Sequence, residues 1–94
     1  MREDLQDQFG NTVYLTDERW RHIIRRHHQL DGHRDEVLST VRSGKRKQDP
    51  LLPYKFYYTK AFSNLGRFRE IEVVVVFRWK NNQPNNFIVT AYPN

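Results

Sequence analysis

Imidazole, cationic and hydroxyl side chains gather at three well-separated places in this 94-residue chain. The first is Thr16-Asp17-Glu18-Arg19-Trp20-Arg21-His22-Ile23-Ile24-Arg25-Arg26-His27-His28, which crowds histidines and arginines into about three helical turns. The second is the tyrosine-rich run Lys55-Phe56-Tyr57-Tyr58-Thr59-Lys60, and the third is Phe87-Ile88-Val89-Thr90-Ala91-Tyr92. Together they supply what metal-free phosphodiester cleavage requires. One proton must leave the attacking oxygen, another must reach the leaving oxygen, and charge building on the phosphate must be stabilised.

The elements that must position these residues follow from periodicity. Residues 1–11 are polar and lack a repeat, so they read as an N-terminal arm, and residues 12–94 as a single α+β domain. Thr12-Val13-Tyr14-Leu15 is a short strand. Thr16 caps the first helix, with Asp17 and Glu18 at the positive end of its dipole. Trp20, Ile23, Ile24, His27 and Leu30 follow the i, i+3, i+4, i+7 spacing of a buried stripe, which predicts a helix running to Asp31-Gly32. A second helix covers about His33 to Arg42 with Val37, Leu38 and Val41 inward, and Gly44 is placed for a left-handed cap. Lys45-Arg46-Lys47 reads as a basic linker.

Tyr54 to Phe62 has strand composition, and Arg69 to Trp79 alternates with Ile71, Val73, Val75, Phe77 and Trp79 on one face. Asn81 to Asn85 is a loop, and Asn86 to Tyr92 closes the chain as a strand. The expected architecture is two N-terminal helices packed on a three- to four-stranded antiparallel sheet. The first helix then covers Val73, Val75, Phe77, Phe87, Val89 and Ala91, leaving Arg78, Ile88, Thr90 and Tyr92 on the far face.

Composition narrows the partners. Sixteen Lys and Arg against eleven Asp and Glu leave a net charge of +5, which favours an anionic partner. Nucleic acid leads because the cations alternate with aromatics that can stack on bases. Hydrophobic content is only 37%, yet the patterned apolar runs of the second half argue for a small folded core. Its stability is expected near 5–10 kcal/mol. The absence of cysteine excludes disulfides and thiolate metal sites and suits a reducing cytoplasm. The start is too polar for a signal peptide, and no run reaches the roughly 20 apolar residues of a membrane helix. A cytoplasmic protein with no membrane association is expected.

Four histidines raise the question of metal. His22, His27, His28 and His33 form no i, i+4 pair with a carboxylate as third ligand, so neither metal nor cofactor is expected. The helical wheel puts His27 in the apolar stripe and His22 on the arginine-rich side. A place in the last turn favours the imidazolium form of His27 and lets it point past the packed sheet.

The pattern Leu15-Thr16-x-Glu18-Arg19-Trp20-x-His22-Ile23-x-x-x-His27, with Tyr57-Tyr58, Val73-Val74-Val75-Val76 and the terminal Ile88-Val89-Thr90-Ala91-Tyr92, resembles small prokaryotic and phage domains of the barnase–EndoU–colicin–RelE-like nuclease superfamily. The resemblance spans Thr12 to Tyr92. It implies a compact α+β fold and metal-independent RNA cleavage, often in toxin modules, and with them an antitoxin or immunity protein as a partner. The family has His-Pro after the helix where this chain has His27-His28, and a basic residue directly after the paired tyrosines where this chain has Thr59 and then Lys60.

On this reading His27 and His22 are candidates for proton transfer, since an ordinary histidine pKa of about 6.5 suits either role. Lys60 is the candidate catalytic cation. Thr90 donates to a non-bridging phosphate oxygen, and Tyr92 donates likewise or stacks on a base. Arg25, Arg26, Tyr58 and Arg78 are candidate RNA contacts. The expected arrangement is one basic cleft lined by His27, Lys60, Thr90 and Tyr92, with His22 at its edge. Two other readings keep the basic surface without catalysis: an inactive RNA-binding module, and a protein-interaction domain docking on an acidic partner. Oligomeric state is not legible from the residues.

Overall fold

The segment expected as an arm is the first strand of the sheet. In the computed structural model, which describes Met1–Asn94, β1 (Arg2–Gln6) pairs antiparallel with β2 (Thr12–Thr16) along its whole length. Only Leu5 of β1 is buried, so the strand has no apolar alternation to betray it. The chain continues through α1 (Asp17–Arg26), a 3-10 turn (His28–Leu30) and α2 (Arg34–Ser43). Then come β3 (Lys45–Gln48), β4 (Lys55–Ala61), β5 (Glu70–Val76), a hairpin of β6 (Trp79–Lys80) with β7 (Gln83–Pro84), and β8 (Asn86–Pro93).

The fold is α+β, but the sheet is larger than expected and mixed. Six strands lie in the order β1-β2-β8-β5-β4-β3. The β2–β8 pair is parallel and restricted to Val13–Asn86 and Tyr14–Phe87; every other pair in this sheet is antiparallel. The basic linker expected at Lys45-Arg46-Lys47 is the edge strand β3, where lysines deter further strand pairing. No helix is long and apolar enough to cross a membrane.

Both helices pack on one face of the sheet. Ile23, Leu30, Val37, Leu38 and Val41 meet Leu5, Val13, Leu15, Tyr58, Ile71, Val73, Val75, Ile88 and Ala91 in a single core. The Thr16 hydroxyl accepts from the Arg19 N–H at 3.0 Å, as its capping role requires. Arg34 ties α2 to β1 through Glu3 (3.5 Å) and to the start of α1 through Asp17 (3.2 Å).

A bulge reverses part of β8. Val74 pairs with Thr90 but Val75 pairs with Ile88, so Val89 is an extra residue on that strand. Ile88 therefore turns into the core while Phe87 turns outward to lie 5.9 Å from the Tyr14 ring. The expected placement of Phe87 and Val89 inside, with Ile88 outside, is corrected by this one residue. Strand β5 likewise stops at Val76. Asn81 and Asn82 take positive φ values of 52° and 63°, forming the tight turn of a separate hairpin that leaves Trp79 exposed.

A buried polar knot closes the end of the sheet beside the β1–β2 loop. The Asp7 carboxylate accepts from the Tyr58 hydroxyl (2.5 Å), the Asn11 side chain (3.0 Å) and the backbone N–H groups of Phe9 and Asn11 (both 2.9 Å). The Arg46 guanidinium stands 3.8 Å away, between the rings of Phe9 and Phe56. Burial pushes the Asp7 carboxyl upward, but its hydrogen bonds, that from Tyr58 foremost, outweigh this and hold it below the ordinary carboxylate value. Burial together with Asp7 pushes the Tyr58 phenol up.

Because the folded state favours ionised Asp7, this contribution is complete above the unfolded pKa of about 3.9 and is lost as pH falls through the lower folded value. Tyr58→Phe is expected to cost about 1.5–3 kcal/mol at pH 7, the worth of a hydrogen bond to a charged group. In urea melts the difference from the parent chain should shrink as pH falls below about 4. A difference independent of pH would mean that Asp7 is not the group through which Tyr58 acts.

Candidate active site

The sheet face opposite the helices is where the hydroxyls meet. Successive cross-strand rows on this face are Tyr92–Glu72–Thr59–Lys45 and Thr90–Val74–Tyr57–Lys47, followed by Phe87–Val76–Lys55. Val74 and Val76 are buried yet lie outside the helix-side core. Thr90 and Tyr92 thus share a face two residues apart, as expected from their spacing.

His27 joins them because the helix ends early. Its N–H still donates to the Ile23 carbonyl (2.8 Å), but at φ −132° and ψ 69° its backbone has left the α conformation. The chain continues as the 3-10 turn His28–Leu30, with Leu30 in the core. A helical wheel carried to residue 30 therefore misdirects His27. Its half-buried ring lies 5.9 Å from the Tyr92 ring, tilted by 45°, rather than within the apolar stripe.

Glu72 is the residue the sequence reading overlooked. The Tyr92 hydroxyl donates to its Oε2, and no protein donor reaches Oε1. Burial, reinforced by Glu72, pushes the Tyr92 phenol up to about 12, so at neutral pH it is a donor and not a base. Next to Glu72, a shallow groove of about 290 Å³ is lined by Lys47, Asp49, Pro50, Tyr57 and Thr59. The Tyr57 hydroxyl donates to Asp49 at 2.6 Å. This bond, with the N–H groups of Leu51 and Leu52, holds the Asp49 carboxyl below its usual value and pushes the Tyr57 phenol up. The signal that could have found Glu72 is a carboxylate within the run Ile71-Glu72-Val73-Val74, at the middle of an otherwise valine-rich strand.

Lys60 and Tyr58 are not part of this group. Lys60 pairs in register with buried Ile71, and its ammonium donates to the hydroxyls of Ser39 and Ser43 on α2, both at 2.7 Å. It therefore points to the helix side, because the alternation of β4 sends Tyr57 and Thr59 to one face and Tyr58 and Lys60 to the other. Tyr58 is fully buried in the Asp7 knot and is unavailable to RNA. By register Lys47 and Lys45 of β3 stand opposite Tyr57 and Thr59, and the Lys55 ammonium lies 5.6 Å from the Tyr57 ring centroid.

His22 lines a different groove, of about 480 Å³, with Thr16, Glu18, Arg19 and Arg25 along the exposed side of α1. Arg25 and Arg26 are exposed and form no ion pair. Arg78 is exposed with its guanidinium 4.9 Å from the Tyr54 ring centroid. No three His, Asp or Glu side chains are grouped as a set of metal ligands. No protein-family model, curated protein or solved structure matches the chain.

Proposed function

We propose that this protein is a metal-independent endoribonuclease of the barnase–EndoU–colicin–RelE-like type, acting as a toxin held in check by an antitoxin or immunity protein. The observation that carries the reading is the grouping of His27 and Glu72 on either side of Tyr92, beside Thr90, on a sheet face that no helix covers. Cleavage by the ribose 2′-hydroxyl needs a general base and a general acid, and a carboxylate and an imidazole can fill the two roles.

In this reading Glu72 accepts the 2′-proton through its free oxygen while Tyr92 holds the other. His27 then protonates the departing 5′-oxygen. Thr90 and Lys47 stabilise the charge that grows on the phosphate. Arg25 and Arg26 hold RNA beyond the reacting nucleotide as unpaired cations.

Incubation with total RNA and tRNA in EDTA, followed by end mapping, tests the proposal. Cleavage that persists in the chelator and leaves 2′,3′-cyclic or 3′-phosphate ends is the expected result. Activity abolished by EDTA and restored by a divalent ion would overturn it. Expression in a bacterial host should also arrest growth, an effect that a binding module lacking activity would not produce.

RNA affinity should fall with salt. If roughly four phosphates are neutralised, raising salt from about 50 to 200 mM weakens single-strand binding about 50-fold through counterion release. An affinity that hardly changes over this range would favour a protein partner instead.

A further inference from the structure

The β6–β7 hairpin has no role in the core or in the grouping around Tyr92, yet it is built with care. Asn81 and Asn82 form its positive-φ turn, the Asn85 N–H donates to the Arg78 carbonyl (2.7 Å), and the Phe77 N–H donates to the Tyr54 carbonyl (2.8 Å). These bonds fix an indole in solvent: Trp79 is 75% exposed. Beside it the Arg78 guanidinium packs over the Tyr54 ring, making a second flat, cationic surface. Residues 73–94 contain no Asp or Glu, while they hold Arg78 and Lys80. Exposed aromatic planes set among unopposed cations match a single-stranded polyanion whose bases are free to stack.

We infer that this hairpin is a base-stacking arm that grips single-stranded RNA away from the cleaved bond, with Trp79 stacking on a base and Arg78 and Lys80 holding phosphates. The inference rests on the ribonuclease reading above and adds to it a second contact. From Glu72 to Val76, where β5 ends, the strand runs about 13 Å toward the end of the sheet, and Trp79 of the hairpin lies three residues beyond. The arm therefore acts only on substrates several nucleotides long. Lys55 and Phe87 occupy the last open-face row before the hairpin and continue the cationic and aromatic surface toward it.

The test uses a 12-nucleotide single-stranded 2′-O-methyl RNA, which can bind but lacks the attacking hydroxyl. With Trp20→Phe, Trp79 is the sole indole of the chain, and its emission should be quenched as the oligonucleotide binds. Trp79→Ala in the otherwise unaltered protein should weaken binding about 5- to 150-fold, the range for loss of one base–aromatic stack. The slope of log affinity against log salt should not change, and Trp79→Phe should retain most of the affinity. Arg78→Ala should instead reduce that slope by about 0.7, the loss of one phosphate contact to a single strand. Cleavage of an unmodified dinucleotide should proceed with the same kcat/KM in Trp79→Ala as in the parent. Wild-type affinity in Trp79→Ala, or unquenched emission, overturns the inference while leaving the ribonuclease reading intact. A parent chain that neither binds nor cuts RNA overturns both, and capture of an acidic protein through Trp79 would reassign the hairpin to that partner.

Discussion

His27→Ala should abolish RNA cleavage, lowering kcat/KM by about 10²–10⁴, the usual worth of a positioned proton-transfer group. The fold should survive. His27 lies at the end of α1 with its ring half-buried against Tyr92, and it makes no side-chain hydrogen bond or ion pair. Stability in urea should therefore change by no more than about 1 kcal/mol, as for a partly exposed site outside the core. Glu72→Gln should lower cleavage over the same range, since an amide cannot accept the 2′-proton, whereas Tyr92→Phe should have a smaller effect because it frees a carboxylate oxygen without removing the base. His22→Ala, on the other groove, should leave cleavage close to wild type. If His22→Ala kills cleavage and His27→Ala only destabilises, the chemistry belongs to the α1 groove. If neither matters, both histidines are structural.

The pair His27–Glu72 also explains why the site was only half legible. Thr90 and Tyr92 fall on one face because strand alternation is a rule of backbone geometry, and their neighbour β5 was foreseeable from an apolar run that has to pair centrally. His27 carries two opposed signals, a wheel position in the apolar stripe and a last-turn place that lets it point past the sheet, and its ring beside Tyr92 agrees with the second. Its place depends on where the helix breaks, and the stripe continues to Leu30 in spacing although α1 ends at Arg26. Glu72 was hidden by the same alternation that revealed Thr90: a charged residue on the outward side of a strand looks like ordinary solvent-facing polarity until Tyr92 is seen beside it. Lys60 is adjacent to Thr59 in sequence but not in space to the open-face hydroxyls, because one residue of strand reverses the face.

Edge strands were the main loss in the fold. Arg2–Gln6 and Lys45–Gln48 carry almost no apolar pattern because an edge strand needs only one neighbour and is protected by its charges. Helix α2, by contrast, was legible almost to the residue, since Val37, Leu38 and Val41 obey the helical period and all three are buried.

Gly44→Ala should be the most damaging small substitution in the molecule. A left-handed cap was the expected reason for this glycine, but its φ of −77° is one that any residue adopts. Space is what it lacks. A Cβ at this position would stand 2.3 Å from the Thr40 carbonyl oxygen and 2.7 Å from that of Thr59. Both are backbone atoms, fixed by the last turn of α2 and by strand β4, so no side chain can rotate away to make room. Relief requires α2 to lift from the sheet just where Val41 packs in the core with Tyr58. Overpacking a core by a methylene costs about 1–3 kcal/mol and sometimes more. With backbone on both sides, about 3 kcal/mol or more is expected, a large part of the roughly 5–10 kcal/mol available to a domain of this size. Thermal melts should then show Tm lowered by about 12–24 °C, taking 4–8 °C per kcal/mol. Gly10→Ala separates crowding from backbone preference: Gly10 has a φ of +82° but nothing within 4 Å of its added carbon. It should cost only about 1 kcal/mol, the strain of a left-handed residue. Equal losses at the two positions would mean that α2 can shift freely over β4, and that the contact at Gly44 does not hold the helix to the sheet.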